Sequence, residues 1–548
     1  MGVPFYFPWI YRNMTDVIKP TIQRKIDYLI FDLNAIVHPQ TRSILLEGGH
    51  ITIPRVVERM LLYIDDIIDE TKPQKVVLAA DGTAPVAKQI QQRHRRHMSR
   101  LDMHLRQQIY IKNGREPPMV EKWDSTVITA GTEWFIELTN ALSSVLKSRE
   151  DGIEYIVSDS NEPGEGEHKA FDLIRRTDPK YSFVIVGMDA DLIMLSLTSH
   201  RDNVWLYREA TFIKTKQVNQ RGFVYLDVWN LRKHIIRSMT SGSNTALDEN
   251  RIIEDFLAIT FLLGCDFLPH NPCIDIQKNG IEVLMDSYRK VRRSSNPYII
   301  ESNSRLNLGM LRRFFTVLAE DEAKRARQRA RNHRMTKPRR YVNDKKLVGV
   351  DEVIEKELHN LHHNIPRQYD DTFGKKGWVG RYYDKYFNVQ GGYGTSPKIQ
   401  NACIEVLNAI SFIHAYYVRG CVDYEWYYPY TYQPLAKEMS NYLKLSYDKK
   451  IKPYRHRFLT KKAVNNPLSV VEQLMGVCAK PSSGCLGLST EDQLLMTHKD
   501  SPLSKYYPNP TDLRLDGLFA KYSWQKHLVD FIPNVPLSEL RKARELKK

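Results

Sequence analysis

Cysteine is scarce: there are six in 548 residues, and no two stand in a Cys-x-x-Cys spacing. That excludes a disulfide scaffold and argues against a zinc site. No apolar run reaches the roughly 18–20 residues that a bilayer-spanning helix needs, so no membrane partner is expected. The opening residues, MGVPFYFPWI, carry no basic segment ahead of an apolar one, so no secretion leader is expected. Met1-Gly2 invites N-myristoylation, but Tyr6 stands where that signal requires Ser or Thr. An intracellular protein is expected, with the compartment open. No internal repeat is evident.

What is present is positive charge and a core. Lys and Arg number 80 against 64 Asp and Glu, a formal charge of +16, which favours a polyanionic partner. Hydrophobic residues at 42% support a large packed interior, and the length predicts two or more domains. Over 1–300, short β-branched runs at 28–33 (YLIFDL), 75–80 (KVVLAA), 155–158 and 183–187 (FVIVG) alternate with helical patterns such as 55–70 and 133–147. This alternation predicts an α/β fold with a mostly parallel central sheet and flanking helices. Each run ends at or just before an acid: Asp32, Asp81, Asp159 and Asp189. Parallel sheets bind ligands at that carboxyl edge.

Seven carboxylates stand out. Asp32 and Asp81 follow strands; Glu165 and Glu167 lie in NEPGEGEHK; Asp189 and Asp191 lie in GMDADLIML; Asp266 lies in FLLGCDFLPH. A single strand-end Asp is commonly a helix N-cap. Seven gathered at one edge cannot all be caps, and would repel one another without a cation. Hard oxygen donors, with no His or Cys at ligand spacing, select Mg²⁺, with Mn²⁺ able to substitute. The i, i+2 pairs let one turn serve two ions, which at roughly 3.5–4 Å apart clamp the oxygens of a phosphodiester. The acids therefore predict metal-dependent phosphoryl chemistry on a nucleic acid.

Directly after Asp81 the chain reads APVAKQIQQRHRRHMSRLDMHLRQQ. Lys88, Gln92 and Arg96 fall on one helical face, with Arg95 beside them. Such a cluster either holds a terminal phosphate or tracks a phosphodiester backbone; a solvated basic helix is the plainer alternative. The run at 324–340, KRARQRARNHRMTKPRR, carries nine Lys or Arg and no acid, and reads as a solvated helix, a linker, a nucleic-acid strut or a nuclear address. From about Phe373 the chain turns aromatic.

These motifs, in this order, resemble the Xrn/Rat-type 5′→3′ exoribonucleases. MGVPFYFPWI, FDLNAIVH, AADGTAPVAKQIQQRHRR, EPGEGEHK, GMDADLIMLSLTSH and FLLGCDFLPH resemble that family's first conserved region. GWVGRYYDKYF, YYVRGCVDYEWYYPYTYQPLA, VEQLMGV, DSPLSKYYPNPTDLRLDG and the Trp524 segment resemble the second. The resemblance implies a PIN/flap-nuclease-like core at 1–300, a basic linker or helical segment at 301–372, and a mainly helical second region at 373–548 that packs against the core and completes the pocket. It implies processive hydrolysis of single-stranded RNA bearing a 5′ monophosphate, by two Mg²⁺ ions, with release of nucleoside 5′-monophosphates in RNA decay. Partners in decapping or decay are not readable from the residues.

By the same resemblance the catalytic and metal-binding acids are Asp32, Asp81, Glu165, Glu167, Asp189, Asp191 and Asp266, and the 5′-phosphate pocket is Lys88, Gln92, Arg95 and Arg96. His38, in the DxNxxxH pattern, and Trp426 are expected to contact or stack on RNA bases. The chain ends soon after the second region, which implies a reduced form without long C-terminal extensions. A structure-specific 5′ DNA nuclease of the flap endonuclease class is the alternative; against it, Phe267-Leu268-Pro269 follows Asp266 where that class has glycine-rich turns. A nuclease-dead RNA-binding scaffold would have lost at least one of these acids, and none is lost.

Overall fold

The computed structural model describes residues 3–546 except 4, 211–217, 220, 242–246, 296–297, 336–337, 364–371, 461–462, 513–514, 517–527 and 530–531. Met1-Gly2, the Trp524 segment and part of the LRLDG motif lie outside the described residues.

Seven strands form one sheet: β1 (Ile18–Lys19), β2 (Tyr28–Asp32), β3 (Lys75–Ala79), β4 (Glu154–Ser158), β5 (Phe183–Val186), β6 (Val204–Glu209) and β7 (Phe223–Asp227). Their spatial order is β1-β7-β6-β5-β2-β3-β4. Strands β2 to β6 pair in parallel, while β7 runs antiparallel to both β6 and β1. The four runs read from the sequence as buried strands are β2, β3, β4 and β5, of which β4 lies at the sheet edge and is only partly buried. Both faces of the sheet are covered, which is why these strands read as continuous apolar runs.

The chain builds β2, β3 and β4 outward in one direction, then crosses back so that β5 pairs with the other side of β2. Alternation within the strands divides the core. Leu29 and Phe31 of β2 pack with α2 (Leu33–Leu46), α3 (Ile53–Thr71) and α5 (Glu133–Lys147). Tyr28 and Ile30 face α6 (Gly166–Arg176), α7 (Ala190–Thr198), α8 (Val228–Thr240) and α9 (Glu249–Thr260). Two more helices belong to this half, α1 (Tyr6–Asn13) and the long basic α4 (Val86–Lys112).

The second face does not stop with the sheet. The same apolar cluster continues through α10 (Gly280–Ser295), α11 (Leu308–Glu320), α14 (Trp378–Phe387), α15 (Pro397–Arg419) and α16 (Ala436–Tyr447). The aromatic second half therefore shares a core with the sheet. Burial of each large apolar side chain there contributes about 1.5–3 kcal/mol.

The basic run is a docked helix, α12 (Glu322–Met335), followed by α13 (Val350–His363). Ala326 and Ala330 are buried, and the Glu322 carboxylate accepts the N–H groups of Ala436 and Lys437. Two of its cations are engaged by the fold. Arg325 donates to the Leu318 carbonyl, and Arg329 donates to the Pro272 carbonyl at 2.7 Å with His270 Nε2 at 2.9 Å. Lys324, Arg327, Arg331 and Arg334, spaced along one helical face, remain exposed.

Helix α6 lies so close to β3 that its first residue has to be glycine: a Cβ on Gly166 would stand 2.4 Å from the Ala79 carbonyl oxygen. Backbone cannot yield cheaply there. Gly166→Ala is expected to lower stability by about 1–3 kcal/mol, the usual cost of overpacking. Thermal or urea unfolding would measure it, with Gly394→Ala, where a Cβ meets open space, as the comparison.

Candidate active site

The order of strands reverses between β2 and β5, which leaves a crevice at their carboxyl ends. Asp32 closes β2 and caps α2, with Oδ1 accepting the N–H groups of Asn34 (3.1 Å) and Ala35 (3.4 Å). Asp81 lies two residues beyond β3, where its Oδ1 accepts the Gly166 N–H at 2.8 Å. Its own N–H donates to Asn34 Oδ1 at 3.1 Å, tying the two strand ends together. Glu165 and Asp189 occupy the N-cap positions of α6 and α7, yet neither side chain caps its helix. Glu167 and Asp191 follow in the first turns, where a carboxylate is favoured by the helix dipole. Asp266, in the turn after α9, is 1% exposed.

At the centre stands a cation from the protein itself. Lys88 Nζ lies 2.5 Å from Glu165 Oε2, 2.6 Å from Asp266 Oδ2, 3.6 Å from Asp191 Oδ2 and 3.7 Å from Glu167 Oε1. Burial works against its charge, but Asp266, Glu165, Asp191 and Glu167 outweigh burial and hold the ammonium well above its ordinary pKa. Lys88 thus faces the acids, about two turns before Arg95 and Arg96 on the same helix. It sits at the start of α4, where its long stem reaches the carboxylates.

One ammonium is not enough. Burial, with repulsion from Asp81 and Asp189, pushes the Asp32 carboxyl up to about 8. Burial also raises Glu165 and, with the neighbouring Asp191, raises Glu167 well above the carboxylate range. Ligand atoms of Glu165, Glu167 and His168 lie within 4.8 Å of one another, close enough to share one metal ion. The donor set is dominated by carboxylate oxygens, which suits a hard divalent cation.

Farther along α4, Arg95 is exposed and Arg96 half-buried, with burial lowering the Arg96 pKa. Among the described residues Gln92 Oε1 is buried without a hydrogen-bond partner. His38 lies in the field of these arginines: burial, then Arg96 and Arg95, lowers its pKa to about 3, so the ring is neutral. Trp426 corrects the expectation of a stacking wall. It is buried in a cluster with Phe412 and Phe458, at centroid distances of 4.6 and 5.4 Å, and its Nε1 donates to Glu405 Oε2 at 3.2 Å.

Several site residues escaped the sequence reading. Tyr416 donates its hydroxyl to Glu165 Oε1 at 2.6 Å, and Tyr417 donates to Asp191 Oδ1. Both belong to the AYYVRG run, whose only signal was aromatic density. Arg93, one cation among many in α4, is fully buried and donates to the carbonyls of Gly476, Tyr506 and Pro533. It ties α4 to the last quarter of the chain. The VEQLMGV motif, on α17 (Val470–Val477), lies against the same helix, and Gln473 Oε1 accepts the Ala84 N–H at 2.7 Å.

Comparison with known proteins assigns the chain. Residues 1–210 match the XRN 5′-3′ exonuclease N-terminus, and 246–372 and 362–546 match the Xrn1 helical domain. The chain belongs to the XRN family. It is 26% identical over 683 residues to 5′-3′ exoribonuclease 2 of Arabidopsis thaliana, covering 96% of this chain and 65% of that one. It is 27% identical to the Drosophila melanogaster homolog of 5′-3′ exoribonuclease 2, covering 99% and 70%. It is 28% identical to 5′-3′ exoribonuclease 1 of Homo sapiens, covering 100% of this chain but only 34% of the relative. The chain therefore spans between one third and about two thirds of the length of these XRN relatives. Among solved structures, T5 D15 protein co-crystallized with metal ions matches 61% of this chain and 99% of its own, at 11% identity and TM-score 0.28. The catalytic core of Rad2 in complex with DNA matches 75% and 100%, at 13% identity and TM-score 0.33.

The raised Asp32 carboxyl has a direct consequence for metal-free protein. Unfolded, this group titrates near 3.9; folded, near 8. Between those values the folded state binds the extra proton, so this contribution is present at low pH and is lost as pH rises from about 4 to 8. Asp32→Asn keeps a good N-cap and is expected to flatten that decline. Melting temperatures in EDTA across this range measure it, and equal slopes for both proteins would exclude the effect.

Proposed function

We propose that this XRN chain is a 5′→3′ exoribonuclease that processively hydrolyses single-stranded RNA bearing a 5′ monophosphate and releases nucleoside 5′-monophosphates. The observation that carries the reading is the convergence of seven acids at one sheet edge, with Arg95 and Arg96 two to three turns farther along the helix that starts there. The 5′-phosphate site is Lys88, Gln92, Arg95 and Arg96, with Lys88 shared between that site and the acids it contacts. His38, neutral and beside the arginines, faces the first nucleotide. A terminal phosphate there gains several charge-assisted hydrogen bonds, whereas a hydroxyl leaves the guanidinium groups unmatched.

Asp32, Asp81, Glu165, Glu167, Asp189, Asp191 and Asp266 would hold two Mg²⁺ ions, for which Mn²⁺ can substitute. When bound, these supply charge stabilisation and an activated water at the scissile phosphate. The chain's own residues orient the RNA: α4 fixes the 5′ end, and Lys88 offers a counter-charge within the acids. Residues 1–300 supply the acids and basic helix, 301–372 a basic helical segment, and 373–548 close the pocket. Tyr416 and Tyr417 support that division, since their hydroxyls are built into the acid cluster. Among the described residues no helix is long and apolar enough to cross a membrane.

The decisive assay compares RNA with a 5′ monophosphate, hydroxyl or triphosphate, in Mg²⁺ or EDTA. Monophosphate RNA is expected to be degraded at least about 100-fold faster than the others, and only with metal. Asp189→Ala or Asp191→Ala should abolish cleavage while RNA binding stays within a few fold. The double variant Arg95→Ala, Arg96→Ala should erase the end discrimination by slowing the monophosphate substrate. Equal rates on monophosphate and hydroxyl ends would overturn the phosphate site.

The exposed stripe of α12 adds a backbone contact, separate from the chemistry. Replacing Lys324, Arg327, Arg331 and Arg334 with Gln should flatten the salt dependence of RNA binding, by about 0.7 log units per lost contact. Single-nucleotide cleavage should persist. An unchanged slope would make the stripe a solvated face.

A further inference from the structure

The aromatic half reaches the acids through two consecutive residues. Neighbouring positions on a helix point about 100° apart, so Tyr416 and Tyr417 address different carboxylates. Tyr416 meets Glu165 at the start of α6, and Tyr417 meets Asp191 in the first turn of α7. Packing leaves their rings little choice of direction. Tyr416 stacks with Phe412 and meets Phe267 edge-on at 5.0 Å, with His168 3.9 Å away; Tyr417 lies 5.0 Å from Phe261. Thr198 at the far end of α7 donates to the Tyr417 carbonyl at 3.2 Å, so α15 is pinned to the helix that carries Asp191.

Both side chains are almost wholly buried, at 2% and 1% exposed. Phenylalanine would fill the same volume without burying a hydroxyl, so the hydroxyls need a purpose beyond packing. The oxygens they choose supply one. Tyr416 takes Oε1 of Glu165, while Oε2 turns to Lys88 at 2.5 Å. Tyr417 takes Oδ1 of Asp191, while Oδ2 faces Lys88 at 3.6 Å. In each acid one oxygen is held by a tyrosine and the other faces the central cation.

We infer that Tyr416 and Tyr417 are positioning residues for divalent metal, each fixing one oxygen of its carboxylate so that the other is presented to the centre of the crevice. The inference rests on the proposed reading that these acids hold the metal. Groups that orient metal ligands typically account for 10–100-fold in affinity.

The test is Mn²⁺ binding by the full-length chain, followed by electron paramagnetic resonance, for the unmutated protein and for Tyr416→Phe, Tyr417→Phe and Asp191→Ala. Each measurement is made below the lowest melting temperature of the set. Each phenylalanine variant is expected to bind Mn²⁺ at least about 10-fold more weakly. Its nuclease activity should reach the unmutated kcat as Mg²⁺ is raised, so that only the metal requirement shifts, while its melting temperature in EDTA stays near that of the unmutated protein. If the unmutated protein and Asp191→Ala bind alike, the metal reading fails and takes this inference with it. If Asp191→Ala loses binding while the phenylalanine variants keep it, stable or not, the inference alone is overturned.

Discussion

Mutual repulsion among carboxylates governs this molecule. Seven acids are brought to one edge of a sheet, where burial deprives them of water and Lys88 stands among four of them. Burial, with repulsion from neighbouring acids, raises the carboxyl pKa values of Asp32, Glu165 and Glu167, while nearby positive charge lowers those of Asp189 and Asp191. Such an arrangement stores a demand for positive charge. The demand explains why a lysine is drawn in and why a hard divalent cation fits the donors.

The rest of the fold holds these acids against their own repulsion. Helices α6 and α7 direct their N-termini at the crevice, where the dipoles favour negative charge. Gly166 lets α6 press against the Ala79 carbonyl. Two tyrosines from the second half donate to Glu165 and Asp191. Helix α4 links this centre to the remainder: Lys88 lies among the acids, Arg95 and Arg96 lie farther out, and Arg93 is bound to carbonyls from Gly476 to Pro533.

Where the sequence and the structure part, the reason is contact geometry. Trp426 sits in a motif dense in aromatics, but only packing shows it buried in a cluster with Phe412 and Phe458. Lys88 shares a helical face with Gln92 and Arg96, yet its flexible stem at the start of α4 follows the strongest local field. The run at 324–340 is uniform in composition, but α12 turns Arg325 and Arg329 inward and leaves a four-residue stripe outside. Charge counts carry no such direction.

The sequence by itself determined the parallel sheet and the acids at its edge. Strand runs and the acids that end them are local patterns, and a strand's carboxyl end is placed by the chain's own alternation. It also determined the basic helix after Asp81, because helical spacing is local. Tertiary structure alone decided that Tyr416 and Tyr417 would meet Glu165 and Asp191, across more than two hundred residues, and that Arg93 would be buried while Arg95 stayed exposed. Those outcomes depend on which surfaces pack together, and a hydroxyl or guanidinium gains a role only from the partner that packing brings to it.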